Sequence, residues 1–323
     1  MSGVQPPDPY MIHDGLAIYR IGEGAPILLM PAPHRYQIPG DGSAGSLIEG
    51  LSAFGRQVIS FDPPASGRST RPMRLSMSEM HDCADEALEL SGISGPVDSV
   101  GHSMAGLTVL AYAIERPERV RRLVLIGTGT GGRAYMSAPG ALWNRSHPHF
   151  GRMASVAILQ MIWRRRAPEV MLNNLVFRES FVDRSLAGQT PVTMRDWLRP
   201  RGGHTEWHDI ARWLDYGPRL REIDTPTLIL CGRQDPQYAP ACSEELAAGI
   251  RGSQLEWFEH SGHFPFIEEP EALWSRVAAF LAGSLRLGHD CLPTSVARAH
   301  YDLEAATGRW KMRHDAIGWS VKS

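Results

Sequence analysis

A hydroxyl, a carboxylate and an imidazole stand at Ser103, Asp235 and His263, each just beyond a short apolar run. Ser103 lies in SVGHSMAG (99–106), Asp235 in LILCGRQDP and His263 in FEHSGHFPF. A serine hydroxyl is a weak nucleophile at neutral pH. It needs a base to take its proton, and the base needs an acid to orient it. Such a set attacks electrophilic carbonyls and forms an acyl-enzyme that water releases.

Ser103 has small residues, Gly101 and Ala105, two positions away on either side. A strand, then G-x-S-x-small, then a helix describes a sharp, strained turn that lifts a serine out of the chain. The turn would expose Oγ at the C-terminal edge of a sheet and face it toward a helix N-terminus, which favours negative charge. It would also aim the Met104 amide into the site as an oxyanion donor. The competing reading of Ser103 is a helix N-cap, and that of Asp235 is a turn aspartate. The GTGTGG run after the strand at 121–127 holds no carboxylate, which leaves Asp235 as the acid. His260 and His263 are three apart but lack a third ligand nearby, and the four cysteines form no C-x-x-C pair. Neither a metal site nor another cofactor is expected.

The elements that must carry these residues alternate. LAIYRI (16–21), APILLM (25–30), RQVISFD (56–62), VDSVGHS, RRLVLIGT (121–128), PTLILCG (226–232) and SQLEWFEH (253–260) read as strands. SLIEGLSAFG (46–55), EMHDCADEALEL, MAGLTVLAYAIER and PEALWSRVAAFLAG (270–283) read as helices. Ser76 and Glu79 have capping-box spacing. Uniformly apolar strands that alternate with helices imply a mostly parallel, doubly wound sheet with helices on both faces. The rhythm breaks between about Gly131 and Asp209, a stretch rich in Met, Trp, Arg and His, which reads as a helical cap inserted after the sixth strand. The expected division is a core of residues 1–130 and 210–283, a cap of 131–209, and an extension of 284–323 with no apolar strand and only a weak helical pattern in SVARAHYDLEAAT.

The 323 residues carry a net charge of −2, so bulk charge gives no reason to expect nucleic acid. Apolar runs are about strand length, well short of the ~20 residues of a membrane helix, and the first residues show no signal peptide. A cytoplasmic protein with a small-molecule substrate, without a nucleic-acid or membrane partner, is the expectation. The tail at 301–312 has enough aromatic and apolar surface to dock on the domain or on a second subunit, which leaves a homo-oligomer open.

With these residues in place, the chain resembles the α/β-hydrolase superfamily over roughly residues 10 to 283. FDPPASGRSTRP is similar to the turn after its fourth strand, and HFPFIEEPEAL to its histidine loop. The nearest resemblance is to the capped group of esterases, lactonases, carbon–carbon bond hydrolases and proline iminopeptidases. It implies Ser103 as nucleophile, His263 as base and acid, and Asp235 as orienting acid. The family's usual His-Gly after the third strand is replaced by LLMPAPHRY; proline has no N–H, so Ala32 is assigned the second oxyanion amide, with His34 as fallback. His34, His102, Trp143 and Trp163 are candidate pocket residues. An ester or lactone is the first substrate reading. A proline iminopeptidase-like aminopeptidase, supported by Glu169, Glu179 and Asp183 in the cap, is the alternative. A carbon–carbon bond hydrolase or a non-enzymatic ligand receptor on the same fold stands behind it.

Overall fold

The computed structural model describes residues 8–32, 42–74, 76–131, 138–142, 144–152, 154–155, 158, 176–189, 214–283, 301–304 and 309–312. Eight strands form one sheet: β1 (Met11–His13), β2 (Leu16–Ile21), β3 (Ala25–Leu29), β4 (Arg56–Phe61), β5 (Val97–His102), β6 (Val120–Ile126), β7 (Thr227–Gly232) and β8 (Gln254–Phe258). Their order is β1-β2-β4-β3-β5-β6-β7-β8. β2 runs antiparallel to both its neighbours, and every pair from β4 through β8 is parallel. β1 escapes the strand reading because it is three residues long. Its signal was the dipeptide Asp14-Gly15, whose φ angles of 42° and 77° make the tight turn that pairs β1 with β2.

The sheet divides the core by alternation along its strands, broken at the start of β6, where Val120 joins the layer of Leu123. In β3, Ile27 and Leu29 face one layer with Leu47, Ile48 and Leu51 of α1 (Gly42–Ala53) and Leu273, Trp274 and Val277 of the helix Pro270–Leu281. Leu28 and the following Met30 face the other, with residues of α2 (Met77–Leu90) and α3 (Met104–Glu115). α2 is amphipathic: Met80, Cys83, Ala84, Ala87 and Leu88 are buried at helical spacing. α3 is buried on all sides from Met104 to Ile114, as its apolar sequence requires. Each large aliphatic side chain removed from water stabilises the fold by about 1.5–3 kcal/mol.

The Ser76 hydroxyl accepts from the Glu79 amide at 3.1 Å, as the capping spacing predicts. The reciprocal half differs: the Glu79 carboxylate takes the Arg74 amide at 2.6 Å. The excursion after β6 leaves and returns through one point, where Gly131 bridges Asp215 and the Tyr216 amide donates to the Thr130 carbonyl at 3.0 Å. Among its described residues, 150–152, 176–179 and Arg184–Gln189 are helical. The tail departs from expectation. Tyr301–Glu304 and Arg309–Met312 pair as an antiparallel hairpin where only a weak helical pattern was read. Its strands mix polar and apolar residues, so they show no apolar run, and the pairing of two four-residue segments leaves little local signal.

Candidate active site

Ser103 follows β5 directly and precedes the first residue of α3. Its φ of 58° and ψ of −128° lie in a region that L-residues rarely occupy. Tertiary contacts hold it there: its amide donates to Ile126 O at 3.0 Å, and its carbonyl accepts from Thr128 Oγ1 at 2.7 Å. The side chain makes no capping bond to α3, which removes the N-cap reading and leaves the hydroxyl unspent. Tight packing explains the small neighbours. A Cβ on Gly101 would sit 2.4 Å from the Ala105 carbonyl oxygen, and one on Gly106 would sit 2.5 Å from Thr128 Cβ.

Asp235 and His263 meet beside this turn. His263 Nδ1 lies 2.8 Å from Asp235 Oδ2, and the two residues are only 1% and 2% exposed. The other carboxylate oxygen accepts the amides of Gln237 at 2.8 Å and Tyr238 at 2.9 Å. Asp235 is therefore fixed by its own turn while one oxygen stays on the imidazole. A carboxylate against Nδ1 places the ring proton there and leaves Nε2 as the basic nitrogen. Space for the pair comes from Gly127, with φ of 49°, where a Cβ would stand 3.1 Å from Asp235 Oδ2 and 3.3 Å from His263 Nδ1. The carboxylate-free loop after β6 thus passes directly over the acid–histidine pair. Cys231 and Cys242, which feel the Asp235 charge, are poor rivals as nucleophiles: burial first, then Asp235, pushes both thiols up, Cys242 to about 12.

Ala32 and Met104 belong to one small apolar cluster with Ala105 and Leu107. Among the described residues neither the Ala32 nor the Met104 amide is taken up by an acceptor. His102, expected in the pocket wall, is instead tied to the histidine loop. Its Nε2 donates to the His263 carbonyl at 2.8 Å, and its ring lies 4.5 Å from the His263 ring and 4.9 Å from Phe266. The position immediately before a nucleophile is close to the histidine by construction, so sequence spacing cannot separate the two roles. His34, Trp143, Trp163 and Glu169 lie outside the described residues.

Of the other cap carboxylates, Glu179 accepts from Arg184 at 2.7 Å and lies 3.3 Å from His149, and Asp183 accepts the Ser185 amide at 2.9 Å. His147 and His149 line a cleft of about 480 Å³ with Glu179, Arg184 and Gln234. Burial holds the His147 imidazole below its ordinary value. The sequence reading also passed over Ser180, Gln237 and Glu268, which hydrogen-bond the loops that carry Asp235 and His263. None lies in a motif; only the Glu of HFPFIEE, five residues after His263, hinted at a role.

The family model described as alpha/beta hydrolase fold matches residues 37–270. A 2-hydroxy-6-oxononadienedioate/2-hydroxy-6-oxononatrienedioate hydrolase of Cupriavidus pinatubonensis (strain JMP 134) is 29% identical over 250 residues, covering 72% of this chain and 79% of its own. Among solved structures, an alpha/beta fold family hydrolase from Bacillus anthracis str. Sterne aligns with a TM-score of 0.65 at 21% identity, over 84% of this chain and 95% of that one. A meta-cleavage product hydrolase from Pseudomonas fluorescens IP01 aligns with a TM-score of 0.60 at 23% identity, over 84% and 95%.

Proposed function

The chain belongs to the alpha/beta hydrolase fold family, and we propose that it is a serine hydrolase acting through Ser103, His263 and Asp235. The observation that carries this is the buried Asp235–His263 bond beside a strained serine whose hydroxyl does not cap its helix. His263 Nε2 takes the Ser103 proton as Oγ attacks the substrate carbonyl. The Met104 and Ala32 amides receive the developing oxyanion, each worth about 3 kcal/mol of transition-state stabilisation. The imidazolium then returns its proton to the leaving group, and water repeats the sequence on the acyl-enzyme. We assign substrate selection to the insertion after β6, read from sequence as a cap.

For the bond cleaved, the curated relatives favour a carbon–carbon bond beside a ketone. The compound in their name carries an oxo group and carboxylates but no ester, so its hydrolysis must release a carbon leaving group. A specific observation supports an ester or lactone as the second reading: Ala32, Met104 and Leu107 give the elbow apolar, uncharged neighbours, which suit a neutral acyl group. The same triad serves both: in ester cleavage the imidazolium proton goes to the departing alkoxide, and in carbon–carbon cleavage the substrate first ketonises by moving its 2-hydroxyl proton to C5, so that the C5–C6 bond breaks to a conjugated dienolate whose oxygen takes the imidazolium proton.

The test pairs a 2-hydroxy-6-oxo-dienoate, followed by loss of its conjugated absorbance, with a short p-nitrophenyl ester. Turnover of either by the wild type, and a fall in kcat of about 10⁴-fold or more in Ser103→Ala with the fold intact, is expected. Near-full activity in that variant, or a fluorophosphonate adduct on another residue, rejects the assignment.

A further inference from the structure

The segment 176–185 belongs by sequence to the cap, yet its polar contacts run to the two catalytic loops. The Ser180 carbonyl accepts the backbone N–H of His263 itself at 2.8 Å. The Ser180 hydroxyl accepts from Gln237 Nε2 at 2.8 Å, two residues after Asp235, and donates to the Val176 carbonyl at 2.5 Å. Glu268 sits across the junction. One carboxylate oxygen takes the Gly262 amide at 2.7 Å, and the other takes the amides of Val182 at 2.7 Å and Asp183 at 3.3 Å. The approach is close enough to dictate a residue type: a Cβ on Gly262 would lie 2.2 Å from the Ser180 carbonyl oxygen. Apolar contact closes the same joint, with the Phe181 ring stacked 4.7 Å from Phe264 and Phe177 at 5.2 Å.

We infer that this cap segment is a built-in clamp for the catalytic pair, with Ser180, Gln237 and Glu268 as positioning residues for His263 and Asp235. A peptide N–H and C=O are obligatory hydrogen-bonding groups when buried, and Ser180 is fully buried. The His263 backbone has few alternatives to its Ser180 partner. Glu268 acts as one rigid acceptor for three amides from two chain segments, a charge-assisted arrangement roughly twice as strong per bond as a neutral one. A shift of the clamp moves the histidine loop relative to the Asp235 turn. The segment therefore sets the distance over which the base is oriented, and productive geometry tolerates about 0.5 Å. None of the three residues touches substrate in this scheme.

The inference rests on the serine-hydrolase reading, and the rate of fluorophosphonate labelling of Ser103 separates the two. Labelling requires an activated Ser103 but no particular scissile bond. Failure of the wild type to label at Ser103 rejects the reading itself. With the wild type labelled, Glu268→Gln, which keeps the side-chain shape and leaves an acceptor on only one side, is expected to label at least tenfold more slowly. Its labelling rate should also titrate at a lower apparent pH, because a loosened Asp235–His263 bond stabilises the imidazolium less. Ser180→Ala, which cuts the hydroxyl's links to Gln237 and Val176 and keeps the carbonyl bond to His263, is expected to slow labelling about threefold and to serve if Glu268→Gln does not fold. Glu268→Ala should be no better than Glu268→Gln. A folded Glu268→Gln that labels within twofold of the wild type with an unmoved pH profile overturns the proposal. So does a folded Ser180→Ala indistinguishable from wild type if it is the only soluble variant.

Discussion

The two ends of β5 treat charge and strain in opposite ways. Near its start, Asp98 is fully buried and saturated with cations: Arg121 Nε and Nη2 at 2.9 and 2.8 Å, Arg56 Nη1 at 3.1 Å and Arg122 Nη1 at 3.4 Å. The β5–β6 pairing shifts register between Val97 and Asp98, but no residue there has a positive φ. Just past its other end, Ser103 sits in a strained conformation with a hydroxyl that makes no capping bond, and among the described residues the nearby buried carboxylate of Asp235 faces one imidazole and no arginine. A carboxylate neutralised by guanidinium groups fastens strands together. A carboxylate left to a single histidine orients that histidine and stabilises it when it gains a proton. The same strand thus supplies an anchor and, five residues on, a strained turn.

The largest expected effect comes from removing the carboxylate at the reactive end. Asp235→Asn presents an amide to Nδ1 and favours the wrong imidazole tautomer. A fall in kcat of about 10³- to 10⁴-fold is expected, with little change in melting temperature. Asp62→Asn, a buried carboxyl off the triad, should stay within a few fold in kcat. Equal losses in the two variants would erase the distinction between them.

At the anchored end the expected effect is on stability. Asp98→Ala strands three arginines, each of which still reaches water, with side-chain exposures of 15% to 43%. A loss of about 3 kcal/mol is expected, read by chemical denaturation, while kcat of the folded fraction holds within about threefold. A change in kcat as large as that of Asp235→Asn would show that the two ends are not independent.

A third buried carboxyl, Asp62, follows β4 with Tyr19 Oη and the Arg68 amide both on Oδ2 at 2.8 Å and no partner on Oδ1. Burial, outweighing those hydrogen bonds, raises its pKa to about 6 from 3.8. The folded state therefore holds the proton more tightly than the unfolded chain. This contribution to stability is full below pH 3.8 and is lost as pH rises through about 6. The stability of the wild type relative to Asp62→Asn should grow by up to about 3 kcal/mol as pH falls from 7 to 4. A difference that is flat with pH would show that Asp62 does not change its protonation between pH 4 and 7.

The smallest effect is expected from strain alone. Ser103→Gly accepts φ of 58° and ψ of −128° without steric cost. Relief of strain, set against the greater freedom of glycine in the unfolded chain, should leave a gain of about 1 kcal/mol. A destabilised variant would mean that the serine side chain contributes more to packing than to chemistry.

Much of this was legible in one dimension, because it follows from local rules. Apolar runs separated by amphipathic ones specify a buried parallel sheet, and β2 through β8 begin and end within one or two residues of the runs that announced them. Gly101 and Ala105 signalled the elbow because a side chain there collides with backbone only a few residues away. The chain order of Ser103, Asp235 and His263 marked them as candidates because each follows its own strand, and the structure bonds Asp235 to His263. Less legible were β1, whose three residues show no run, and the helix Pro240–Gly249, whose buried Cys242, Ser243 and Leu246 make a weak apolar stripe.

Tertiary structure decided what no spacing encodes. That Gly127 makes room for the acid–histidine pair depends on β6 and β7 being neighbours, with 108 positions between Gly127 and Asp235. His102 lines the back of His263 because a strand end and a loop 161 residues apart meet at one sheet edge. Ser180 and Glu268 became a clamp only when the cap segment folded back against the histidine loop. Residue type, period and order are properties of the chain, and they carried the fold and the identities of the reacting groups. Distance between remote segments is set by packing, and packing decided which groups hold the reacting ones in place.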